Sequence, residues 1–88
     1  MIFVNQNIRE YSVIELSQEI KKYLEENFGY IRLRGEVSGL SVSKAGHVFL
    51  SLKEQNDLIE AIIWPDKFQK LNIKPQDGME VIASGKIT

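Results

Sequence analysis

Two stretches of strict alternation decide most of what this chain can become. In "YIRLRGEVSGL", residues 30–40, Ile31, Leu33 and Val37 alternate with Tyr30, Arg32, Arg34 and Glu36. In "HVFLSLK", residues 47–53, Val48, Leu50 and Leu52 alternate with His47, Phe49, Ser51 and Lys53. Successive side chains of a strand leave opposite faces, so a period of two marks a strand with one dry and one wet face. The wet face is unusual. Contact with water does not require a phenylalanine, yet Phe49 stands between a histidine and a lysine.

The segments around these strands complete an order of elements. "YSVIELSQEIKKYLEENFG" reads as a helix: Ser12 is a good N-cap and Glu15, three residues on, completes a capping box. Tyr11 and Leu16 are placed for a hydrophobic staple, and Val13, Leu16, Ile20 and Leu24 predict one apolar stripe, buried against a sheet or serving as a docking face for a partner helix. Gly29 is placed to end the helix in a left-handed conformation. Gly35 falls on the apolar side of the first strand, which predicts a bend, a bulge or a close backbone approach. "EQND" suits a hairpin connection to a third strand, "LIEAIIW", with Ile59, Ala61 and Ile63 inward and Leu58, Glu60, Ile62 and Trp64 outward. Pro65 suits the first turn of a short helix in which Phe68 and Leu71 share a face. "KPQDG" predicts a type I turn into a fourth strand, "MEVIASGKIT".

Composition excludes several classes. With no cysteine and one histidine, neither a disulfide framework nor a zinc site is expected, and no other metal or cofactor set stands out. Asp57, Glu60 and Asp66 read as surface charge, and no nucleophile–base pair or phosphate-binding glycine loop is present, so no catalytic residue is expected. No apolar run approaches the roughly 20 residues of a membrane span, and the N-terminus lacks a basic region and cleavage site, so a cytoplasmic protein is the expectation. Net charge is −1, but its distribution is uneven. Arg32, Arg34, Lys44 and Lys53 stand against Glu36 alone in residues 30–53, giving +3 there and −2 on either side.

Helix, three meandering strands, short helix and strand match most of an oligonucleotide/oligosaccharide-binding (OB) fold, a five-stranded partly open Greek-key barrel. The expected organisation is an N-terminal segment and capping helix over residues 1–29, then the OB domain over 30–88. The last strand pattern runs to the final residue, which predicts a fragment with the fifth strand missing. Unpaired strand edges would then invite a homodimer.

The blocks "YSVIELSQEIKKYLEENFG", "LRGEVSGLSVSKAGHVFLSLKE", "AIIW" and "DGMEVIASGKIT", in this order and spacing, are fairly specific together. The chain resembles the N-terminal OB domain of the exodeoxyribonuclease VII large subunit family from about Tyr11 to Thr88. That resemblance implies single-stranded DNA as ligand, a catalytic domain outside this chain and small subunits as partners. It implies aromatic residues at Phe49 and Trp64 and is met also at Arg34, Gly46, His47 and Lys53. The chain departs from it at Arg32, where the family commonly has tryptophan, and at Glu60 and Pro65, where it commonly has a basic residue.

Single-strand binders combine a basic groove with rings on which bases stack. On that chemistry Phe49 and Trp64 are the expected stacking platforms, and Arg34 and Lys53 the phosphate contacts. Arg32 could hold a phosphate or lie on a base, Lys44 could close the groove, His47 could stack or donate a hydrogen bond, and Ser51 could bond a phosphate or base edge. Blander readings stand beside these: Phe49 packed under a fifth strand or a neighbouring domain, Trp64 packed at the bottom of the barrel, and the two arginines paired with Glu36 or Glu60 on a solvated face. Two other functions compete. Anticodon-binding OB domains share the "G-E-V…F-L-S-L-K-E" type of strand pair, and an outward Phe49, Ile62 and Trp64 could instead be a protein-interaction patch.

Overall fold

A computed structural model describes residues 7–87; the first six residues of the expected N-terminal segment and Thr88 lie outside the described residues. The elements are α1 (Val13–Phe28), β1 (Tyr30–Val42), β2 (Val48–Glu54), β3 (Asp57–Ile63), α2 (Pro65–Gln69) and β4 (Glu80–Lys86). The strands form one four-stranded sheet in the order β3-β2-β1-β4, which is not closed into a barrel. By internal contacts the chain divides into two compact units, Met1–Ile31 with Gly85–Thr88, and Arg32–Ser84.

In the first unit the helix begins as its sequence demands. Ser12 Oγ accepts from the Glu15 amide at 3.1 Å, and Glu15 Oε1 accepts from the Ser12 amide at 3.3 Å. Gly29 ends it with φ +40. The expected buried stripe is absent: no residue of α1 is buried, and Val13 is 84% exposed. Helical spacing says which side chains share a face; it does not say that anything covers them. Tyr11 carries the Arg9 guanidinium 4.3 Å from its ring centroid.

The second unit holds the core. Val37, Val48, Leu50 and Leu52 are buried, and Leu33, Leu40, Ala61, Ile63, Phe68, Val81 and Ala83 pack against them. Of these, Leu33, Val37, Val48, Leu50, Leu52, Ala61 and Ile63 are inward positions that the alternation marked, whereas Ile59, expected inward, is 51% exposed. β2 and β3 pair in an unbroken antiparallel register from Val48↔Ile63 to Glu54↔Asp57. β1 pairs β2 in two registers, Glu36↔Lys53 to Ser38↔Ser51 and then Ser41↔Phe49, with a bulge between. The bulge contains Gly39, φ +64, so the irregularity of this strand falls there and not at Gly35.

Gly35 serves the close approach. A Cβ at this position would lie 3.0 Å from the Leu52 Cβ and 3.3 Å from the Lys53 amide nitrogen. The turn into β4 also differs from expectation. The Met79 amide donates to the Gln76 carbonyl at 3.1 Å with Gly78 at φ +92, which is the third position of a type II turn, not type I. This turn is stitched to β1: Asp77 Oδ1 accepts from the Leu40 amide at 2.9 Å, and Val37 exchanges two backbone bonds of 2.8 Å with Gly78 and Met79. α2 is short, and the Lys74 ammonium donates to its last carbonyls, those of Phe68 and Gln69 (3.2 Å), and to Leu71 just beyond it at 2.9 Å.

The β2–β3 hairpin turns through Gln55 and Asn56, with Gln55 at φ +54. A left-handed conformation costs a non-glycine residue roughly 1–2 kcal/mol. Gln55→Gly is therefore expected to raise the melting temperature by several degrees, as about 1 kcal/mol does in a domain of this size. Thermal unfolding followed by circular dichroism checks this; an unchanged or lower midpoint would mean that the turn holds no such strain.

Candidate nucleic-acid interface

Backbone geometry alone assembles the outward face of β1, β2 and β3. Residues opposite one another in antiparallel strands project to the same side. One row is therefore Ser41, Phe49 and Ile62; the next is Ser38, Ser51 and Glu60; the third is Glu36, Lys53 and Leu58. Continuing the hairpin register one step past Val48↔Ile63 sets His47 opposite Trp64, and the two rings meet edge to face with centroids 5.1 Å apart. Arg34 and Arg32 continue the parity of Glu36 along β1, and both are exposed.

Both rings are open to solvent, Phe49 being 44% and Trp64 54% exposed. Neither ring is buried among the described residues. Trp64 is the N-cap residue of α2, but its side chain makes no cap hydrogen bond there. His47 is half-buried, and its backbone is held by the Ser43 turn: its amide donates to Ser43 Oγ at 3.1 Å, and its carbonyl accepts from the Ser43 amide at 2.9 Å. The same turn carries Lys44, exposed at its tip.

The cations divide into two groups. Lys53 Nζ lies 3.3 Å from Glu36 Oε2, both side chains nearly half exposed. Such a pair contributes about 0.2–1 kcal/mol, little enough for a phosphate to displace the carboxylate. Arg32, Arg34 and Lys44 form no ion pair among the described residues, so the reading that tied both arginines to Glu36 or Glu60 does not describe this face. Arg34, Glu36, Lys53, Gln55 and Glu80 surround a surface depression beside the hairpin turn. The structure therefore brings His47, Phe49, Ser51, Lys53 and Trp64 onto one face with Arg32 and Arg34, and sets Lys44 at the turn between β1 and β2.

Residue-by-residue reading missed one participant: Glu36 is the partner of Lys53. Glu36 required the pairing of β1 with β2, which no local pattern supplies. Ile62, expected outward with Phe49 and Trp64 as an interaction patch, lies opposite Phe49 and extends its apolar platform; counting back from the hairpin turn gives that register. Among the described residues no helix is long and apolar enough to cross a membrane.

Comparison with known proteins gives a consistent result. The model of a family described as "OB-fold nucleic acid binding domain" matches residues 11–88. The large subunit of exodeoxyribonuclease 7 from Bartonella quintana is 48% identical over 93% of this chain, and that from Chelativorans sp. 45% identical over 93%. The Rickettsia canadensis large subunit is 42% identical over 97%. The chain spans only 18%, 16% and 19% of the length of these three relatives, in that order.

Proposed function

This chain belongs to the family of OB-fold nucleic acid binding domains, and from that premise we propose that its β1–β2–β3 face binds single-stranded DNA. The observation that carries the reading is the coexistence of two exposed rings and unpaired cations on one face. Bases stack on aromatic faces whatever their identity, and guanidinium and ammonium groups follow the phosphates. Phe49 and Trp64 are the stacking platforms, with Ile62 widening the first. Arg32, Arg34, Lys44 and, once released from Glu36, Lys53 hold the backbone. His47 orients Trp64 through their edge contact, and Ser51 offers a hydroxyl to a base or phosphate.

In the setting of its longer relatives, the role of the domain is to hold a strand for hydrolysis by a catalytic domain outside this chain, in an assembly with small subunits. The chain itself has no part in bond cleavage and works in the cytoplasm, where such a nuclease meets its substrate. A second copy pairing along the edges of β3 or β4 is the other assembly the open sheet permits.

The test uses the one tryptophan, Trp64. Its emission is expected to be quenched by a mixed-sequence single strand and not by the same sequence as duplex. Log K should fall with log[salt] at a slope of about −2 to −3, since each phosphate contact on a single strand contributes about −0.7. A dimer in solution whose fluorescence ignores every oligonucleotide would make this face a protein-interaction surface. Preference for an RNA hairpin loop over DNA would favour the anticodon-type reading.

A further inference from the structure

The β1–β2–β3 face carries two carboxylates, and they differ in state. Glu36 is neutralised by Lys53. Glu60 is exposed on β3 and forms no ion pair or hydrogen bond among the described residues. Its cross-strand neighbour is Ser51, whose hydroxyl is likewise without a partner among them. This row lies directly beside the Phe49–Ile62 row, about 7 Å along the strands. A base stacked on Phe49 and Ile62 thus presents an edge to one carboxylate and one hydroxyl.

We propose that Glu60, with Ser51, reads the pairing edge of that base and selects bases bearing an amino group over thymine; this rests on the single-strand reading of the face. Unpaired bases are recognised by hydrogen bonds to their pairing edges. An ionised carboxylate only accepts, whereas a serine hydroxyl can donate. Cytosine offers its N4 amino group to Glu60 and its N3 to the Ser51 hydroxyl. Adenine offers N6 and N1 in the same order. Guanine turns two donors, N1–H and the N2 amino group, toward the carboxylate. Thymine has one donor between two carbonyl oxygens, and those oxygens face the carboxylate.

The experiment compares oligo-dC with oligo-dT of equal length at neutral pH, by anisotropy of the labelled strand. The wild-type chain is expected to bind oligo-dC about five- to tenfold more tightly, the lower end of what a good side-chain–base pair discriminates. Glu60→Gln keeps the size but supplies both a donor and an acceptor, so the ratio should fall to within about twofold, chiefly by a gain for oligo-dT. Glu36→Gln removes a negative charge from the same face and separates selectivity from general electrostatics: both affinities should rise together with the ratio intact. Equal affinity in the wild type, or a ratio that Glu60→Gln leaves unchanged, overturns the assignment. Failure of both strands to bind at all would remove the single-strand reading itself, and the assignment with it.

Discussion

Replacing Phe49 and Trp64 together by alanine is expected to weaken binding of a mixed-sequence single strand by at least about thirtyfold. Each stacked ring contributes roughly 1–3 kcal/mol per base, and the lower bound for two rings already gives that factor. The rings sit in separate rows of the face, Phe49 opposite Ile62 and Trp64 against His47, so they serve different bases and their losses should nearly add. The substitutions spare the fold for a stated reason. Both rings are exposed, neither belongs to the buried cluster, and Trp64 caps α2 through its backbone and not its side chain. Since the double variant has no tryptophan, the measurement is anisotropy of a labelled strand, with the circular dichroism melt as control. A folded double variant that binds within twofold of wild type would show that bases do not stack there.

Gly35→Ala is expected to be the most damaging small change to stability, by about 1–3 kcal/mol, the usual cost of overpacking. The new methyl would lie 3.0 Å from the Leu52 Cβ, and a Cβ cannot rotate away because the backbone places it. The second obstacle, 3.3 Å away, is the Lys53 amide nitrogen, so relief requires β1 and β2 to part. Those strands carry the buried core residues among those described, Val37 on one and Val48, Leu50 and Leu52 on the other. A domain of this size has little stability to spare, and the melting temperature should fall by roughly 5–20 °C. Gly85→Ala is the matched control. A Cβ there meets nothing within 4 Å, so its melting temperature should stay near or slightly above wild type. Equal midpoints for the two variants would remove the close-approach account of Gly35.

Glu36 and Glu60 show how side chains of one type acquire different roles. Both are outward on adjacent rows of one sheet. Glu36 falls opposite Lys53 and is neutralised; Glu60 falls opposite Ser51 and is not. The difference lies in register, and shifting either strand by one residue would turn its outward residues into the core.

What could be read from the residues alone was whatever depends on near neighbours. The Ser12–Glu15 capping box lies within one helical turn, and it formed. The period of two in residues 30–37 and 47–53 is a property of each extended segment, so it assigned Val37, Val48, Leu50 and Leu52 to the core and Arg32, Arg34, Phe49 and Lys53 to solvent. Only the tertiary structure decided which residues meet across the chain. It set the bulge at Gly39, gave Gly35 its reason beside Leu52, tied Asp77 to the Leu40 amide 37 residues away, joined Lys53 to Glu36 and brought His47 to Trp64. It also left the apolar positions of α1 unburied, against the helical pattern. The physical reason is the same throughout: alternation and capping are local conformational preferences, whereas register, contact and burial depend on which distant segment arrives alongside.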